Sequence, residues 1–193
     1  WGVSDDVEVV PYHLLLTVQK NGGLVLGAFD RIEGEEQLVG FVFGFVGLSA
    51  EGQVKHCSHM AGVAPGYQNR NIGYQLKLAQ REHVLAQGID LVTWTFDPLQ
   101  SRNAYFNFHK LGVVCKTYRR NLYGDLTDAL SSGMPTDRLK VEWHVKASTV
   151  AARLSGAWPG FSLAALRADK VPMLEGVLRG GLLCPPEALP RRE

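Results

Sequence analysis

His59-Met60-Ala61-Gly62-Val63-Ala64-Pro65 runs directly into Gly66-Tyr67-Gln68-Asn69-Arg70-Asn71-Ile72-Gly73-Tyr74. The first segment reads as the end of a strand over residues 53–63, and Pro65 with Gly66 stops its ladder. A helix is predicted over 72–87, because Ile72, Leu76, Ala79 and Leu85 recur at helical spacing and Gly88 sits where a left-handed cap belongs. A strand, a short loop and a helix with Gly73 in its first turn bring unpaired backbone N–H groups and the positive end of the helix dipole to one point. The ligand this arrangement predicts carries phosphate. The Walker pattern G-x-x-x-x-G-K-[ST] and the dinucleotide pattern G-x-G-x-x-G are both absent.

Strand and helix signals alternate on both sides of this stretch. Towards the start, residues 23–29 and 37–48 read as two strands of a hairpin joined by the acidic turn 33–36. Towards the end, residues 89–96 are rich in β-branched and aromatic side chains and make a strand closed by Asp97-Pro98. A second helix is predicted from Ser101, a good N-cap, to Leu111, with Gly112 as its stop. Residues 113–118 and 139–145 supply the last two strands, the second alternating Leu139, Val141, Trp143 and Val145 with Lys140, Glu142 and His144. Residues 119–137 between them read as a long ordered loop. Beyond 147 the chain is expected to be a weakly specified tail with some helix. The fold class is therefore α/β with a mixed sheet, in a domain over residues 1–147 followed by a C-terminal extension over 148–193.

Composition excludes several function classes. The 193 residues carry 20 Lys+Arg against 19 Asp+Glu, so no basic footprint for nucleic acid is expected. Cys57, Cys115 and Cys184 are odd in number and far apart, which argues against a disulfide framework or a structural zinc site and for a reducing, cytoplasmic setting. No apolar run is long enough to span a membrane, and no metal is expected. Cys57-x-His59 by itself is too small a ligand set to argue for one.

Gln68-Asn69-Arg70-Asn71-Ile72-Gly73 resembles the pyrophosphate loop Q/R-x-x-G-x-G/A of the GCN5-related N-acetyltransferase (GNAT) superfamily, and the strand from His59 to Pro65 is similar to the one that leads into it. Asn103-Ala104-Tyr105-Phe106-Asn107-Phe108-His109-Lys110-Leu111-Gly112 resembles that family's later helix, N-x-x-A-x-x-x-Y-x-K-L-G. The resemblance covers roughly residues 24–145. It implies a splayed mixed sheet flanked by helices, acetyl-CoA or another acyl-CoA as co-substrate, and direct acyl transfer to a primary amine of a small molecule or a peptide within a ternary complex. A homodimer is a possible assembly. It also implies that a first strand lies before Trp1, in residues the sequence lacks.

On this resemblance the acyl-CoA is held by Ala61, Gly62, Val63, Gln68, Asn69, Arg70, Asn71, Ile72, Gly73, Tyr74, Ser101, Asn103 and Phe108. The amides of 61–63 would polarise the thioester carbonyl. Asparagines at 69 and 71 replace the family's loop glycines, and Asn is the residue after Gly that best tolerates left-handed backbone. The tyrosine that protonates the leaving thiolate in many relatives falls at Phe108, which has no hydroxyl, so Tyr105 and Tyr123 are the nearest candidates to replace it. His59 stands where relatives acting on arylalkylamines carry a proton-relaying histidine, and it shares a strand face with Cys57, opposite His56 and Ser58. Arg119 and Arg120 could pair with a carboxylate on the acceptor or on a dicarboxylic acyl group, while Trp94 and Trp143 are expected in the core. Two alternatives stay open: a non-catalytic acyl-CoA-binding or sensor domain, and an acyltransferase that uses a larger or dicarboxylic acyl-CoA.

Overall fold

In the computed structural model, which describes residues 10–124, 135–160, 164, 177–179 and 182–184, the first half of the chain folds as an antiparallel ladder. Strand β1 (Leu24–Ile32) turns into β2 (Glu35–Leu48), and β2 pairs in turn with β3 (Val54–Val63). The β1–β2 turn contains just two residues, Glu33 and Gly34, with φ of 53° and 90°. Left-handed backbone at both positions matches the twist of the flanking strands, which is why glycine sits there.

A helix that the sequence reading did not include, α1 (Tyr12–Lys20), precedes β1. Its Leu14-Leu15-Leu16 run has no polar interval to mark one face, and Pro11 at its N-cap offers no capping side chain.

Helix α2 (Ile72–Ala86) crosses from β3 to β4 (Leu91–Phe96). It ends as expected: Gly88 is left-handed with φ 75°, and Ile89 N–H reaches back to Val84 O at 2.9 Å. Helix α3 starts as α-helix at Ser101–Ala104 and continues as π-helix over Tyr105–Leu111, where a regular α-helix was expected. Strands β5 (Val114–Arg119) and β6 (Arg138–His144) follow, and of the long loop between them residues 125–134 lie outside the described residues. Thr136 ties the described part together, its Oγ1 donating to Gly124 O at 2.9 Å.

The six strands are ordered β1-β2-β3-β4-β6-β5, with β3 and β4 the parallel pair. That pair is registered only at His56 with Val92 and at Cys57 with Thr93. Beyond this seam β3 stays paired to β2 as far as Val63, and β4 stays paired to β6 as far as Phe96. The two halves of the sheet therefore part company and leave a V-shaped opening. A bulge accompanies it, since Phe43 faces Met60 while Gly44 faces Ser58, making His59 the extra residue of β3.

One apolar cluster gathers Val84, Val92, Val141 and Trp143 with Leu111 of α3, and Trp143 Nε1 donates to Leu111 O at 2.9 Å. A smaller one joins Leu76 of α2 to Leu24 and Val42. The chain divides into two compact units, Trp1–Ala157 and Trp158–Glu193. Helix α4 (Ser148–Leu154), in the stretch expected to be a tail, belongs to the first unit, because its Val150 is buried in the Trp143 cluster. In the second unit, where some helix was expected, β7 (Val177–Arg179) and β8 (Leu182–Cys184) pair antiparallel.

Candidate functional site

The opening between β3 and β4 is a cleft of about 640 Å³, within the range of small-molecule sites. One wall is β3 from Ser58 to Val63, the other is β4 from Trp94 to Phe96, and the start of α2 closes its far end. Ala64 N–H donates to Val39 O on β2, so strand alternation turns the peptide groups of Val63 and Ala61 towards the side β4 has vacated. Gln68 Nε2 meets one of them, donating to Val63 O at 3.4 Å.

Both loop asparagines are left-handed as the sequence led us to expect, Asn69 at φ 65° and Asn71 at φ 62°. Asn71 is the N-cap of α2 but makes no side-chain cap, so the first-turn amides of Ile72, Gly73 and Tyr74 have no capping partner there. A Cβ added at Gly73 would lie 3.7 Å from Val63 Cγ2, an ordinary contact. The packing therefore does not demand this glycine; close approach of a ligand would.

Two cations that the sequence reading overlooked face the loop from α3. Arg102 donates to Gln68 Oε1 at 3.3 Å and to Asn69 Oδ1, and Lys110 Nζ donates to Asn71 Oδ1 at 3.2 Å. Their positions in the helix pattern were visible, but nothing local in the sequence said that α3 folds back onto the loop.

Ala61, Gly62, Val63, Gln68, Asn69, Asn71, Ile72, Gly73, Tyr74 and Asn103 all line the cleft, as do His59 and Tyr105. Arg70, Ser101 and Phe108 do not. The Arg70 guanidinium instead sits 4.9 Å from the centre of the Tyr67 ring. Phe108 packs edge-on against Phe96, with ring centres 5.9 Å apart, as part of the Trp143 cluster. The π-helical turn is the physical reason, because its wider register carries the neighbouring Asn107 into the cleft and Phe108 into the core. Trp94, expected in the core, is only half-buried and lines the cleft, its Nε1 donating to Asn107 Oδ1 at 3.2 Å. Trp143 is fully buried.

His59 stands on the bulge with its ring against Phe43 and Phe45, at 5.7 and 5.9 Å between centres. These apolar neighbours disfavour the imidazolium and lower its pKa. Tyr105 is 55% exposed at the rim and stacks on His109. Tyr123 bonds Thr95 through their hydroxyls at 2.9 Å. Arg119 ends β5 opposite Arg138, which lines the cleft. Among the described residues, no three His, Cys, Asp or Glu side chains come together as metal ligands, and no helix is long and apolar enough to cross a membrane.

At the vertex of the V lies a buried polar chain that the sequence reading also missed. Lys77 is 5% exposed; its Nζ donates to Ser58 Oγ at 2.7 Å and to Gln80 Oε1 at 3.0 Å, and lies 4.0 Å from the centre of the Trp94 ring. Gln80 Nε2 then donates to His56 Nε2 at 3.1 Å. Gly44 makes room for this histidine, since a Cβ there would come within 2.3 Å of His56 Nε2. Burial pushes Lys77 down to about 7, and burial, with His83 and Lys77 nearby, pushes His56 down to about 4.

No family model matches the chain, and no curated protein matches it. Solved structures do. Naa20 of Chaetomium thermophilum in complex with a bisubstrate analogue superposes with a TM-score of 0.56 at 14% identity, covering 78% of each chain. The NatC complex bound to Gag peptide and CoA gives 0.55 at 15%, over 72% of this chain and 84% of that one. The ribosomal-protein-S18-alanine N-acetyltransferase of Escherichia coli gives 0.53 at 15%, over 73% and 82%. The chain has the GNAT fold. At these identities the likeness is one of architecture, and within the GNAT fold the chain's own residues carry the argument for its chemistry.

Proposed function

We propose that the chain is an acyl-CoA-dependent N-acyltransferase that moves an acyl group, most simply acetyl, to a primary amine of a small molecule or a peptide. One observation carries this reading: the uncapped first turn of α2, Arg102 and Lys110 meet at the same cleft into which β3 turns the peptide groups of Ala61 and Val63. An anionic, phosphate-bearing end fits the first feature and an extended amide-containing arm fits the second. Both belong to CoA.

The reaction then needs little beyond placement. The amide N–H groups of Ala61 and Val63 would face the thioester oxygen as it gains charge. Holding amine and thioester side by side removes the entropic cost of a bimolecular encounter. His59, whose pKa partial burial beside Phe43 lowers, would take the ammonium proton at the cleft wall.

The fate of Phe108, packed in the core with no hydroxyl to offer, favours the second reading, a domain that binds acyl-CoA without turning it over. A thiol-release assay across a panel of amines and acyl-CoAs decides between them. Amine-dependent release of thiol is the expected outcome. Saturable acyl-CoA binding with no release over every amine would leave only the binding domain.

A further inference from the structure

The Lys77 site is a poor one for a lysine whose only task is structural. Its Nζ is in the interior and its two hydrogen-bond partners, Ser58 Oγ and Gln80 Oε1, are both neutral. From β3 the ionisable neighbour is His56, whose ring meets His83 of α2 edge-on; from β4 there is the Trp94 ring, and α3 brings Asn107 to Trp94. Among the described residues no carboxylate pairs with the ammonium.

Such a cation costs stability, and the rest of the site says what it faces. Lys77 bridges the first residues past the seam, Ser58 of β3 and Trp94 of β4, and all three line the cleft. A donor whose phosphates rest at the first turn of α2 must lay the remainder between these two strands, and Lys77 closes their vertex. An ammonium has three protons, and Ser58 and Gln80 accept two of them.

Resting on the acyltransferase reading, we propose that Lys77 gives the departing CoA thiolate its proton, in a site where Phe108 has no hydroxyl and Tyr105 stands at the exposed rim. In this step the amine nitrogen bonds to the acyl carbon, the C–S bond breaks, and its electron pair goes to sulphur. Nζ–H delivers a proton to that sulphur and leaves neutral Lys77. His59, having already released the ammonium proton to solvent, takes the nitrogen's surplus proton and releases it likewise, and solvent restores the proton of Lys77. An acid pushed down to about 7 donates readily to a thiolate whose ordinary pKa is about 8.5.

The test compares the parent with Lys77→Met on acetyl-CoA and on phenyl thioacetate, whose thiol is more acidic and leaves without help. With acetyl-CoA, kcat should fall about 100-fold in the variant, within the range of a positioned acid. With the aryl ester the gap should shrink to within about 10-fold, and calorimetric CoA affinity should hold. In the parent, kcat at saturating amine should decline above neutral pH with acetyl-CoA, and Lys77→Met should lose that limb. Equal losses on the two esters, a variant as active as the parent, or a parent profile without the alkaline limb would each overturn the assignment. If Lys77→Met does not fold, or the parent does not use the aryl ester, the acetyl-CoA profiles of the parent and Lys77→Gln decide it. A parent that acylates no amine fails the acyltransferase reading itself, whereas an active parent indifferent to residue 77 fails only this one.

Discussion

His59 and Lys77 differ in what the sequence reveals about them. His59 sits in a strand that leads into a recognisable loop, so position and residue type together marked it. Lys77 looked like one more polar residue of an amphipathic helix, and only the three-dimensional packing shows that the face it occupies, with Leu76, Gln80 and Val84, is the buried one. Asn107 was hidden for a related reason, because a π turn changes which side chain of α3 faces inwards and leaves no mark in residue spacing. For His59, replacement by Ala should lower kcat about 100-fold and leave CoA affinity unchanged in calorimetry. The acid limb of the kcat/KM profile belongs to the same imidazole. A base must be neutral to act, and burial lowers this one, so activity should be lost on the acid side at a pH below the ordinary histidine value of about 6.5. An unaltered profile in His59→Ala would make the residue a packing partner of Phe43 and Phe45.

The loop between β3 and α2 was the most legible element, since left-handed backbone and helix-start chemistry both have local signatures. Its asparagines make a sharp test. Asn71 holds φ 62°, where Gly is free of strain and a residue with a branched Cβ is not, so Asn71→Gly should keep or raise the melting temperature. Asn71→Val should lower stability by about 1–2 kcal/mol, measured by urea denaturation. At Gly73 the two effects separate, because the space beside Val63 admits a Cβ. Gly73→Val should fold yet bind CoA about tenfold more weakly, and an unchanged affinity would remove the pyrophosphate from this turn. Strand and helix positions over residues 23–145 followed the sequence closely; α1, whose three consecutive leucines fit no single period, and the β7–β8 pair did not.

For the molecule as a whole, the buried Lys77–Gln80–His56 chain ties stability to pH. Lys77 binds its proton less tightly when folded, about 7 against 10.5, so between those values the unfolded chain holds more protons and stability should rise with pH. The slope from this one group approaches about 1.4 kcal/mol per pH unit, and Lys77→Met should flatten it in denaturation curves taken from pH 7 to 10. His56 acts at the other end: its neutral ring is favoured by folding, so stability should fall as pH drops from about 6.5 towards 4. The succession of strands came through from the sequence, and the resemblance implied a splayed sheet, but the place of β6 between β4 and β5 and the extent of pairing between β3 and β4 did not, since how far two strands stay together depends on what is wedged between them. Two registered pairs, at His56 and Cys57, are all that joins a three-strand ribbon to its three-strand neighbour along their common edge. Such a sheet is a book with a short spine. Its covers can change their angle while each page stays flat, so deuterium should enter the amides of the spine sooner than those of β2 or β6 in the empty protein, and a ligand lying between the covers should slow that entry.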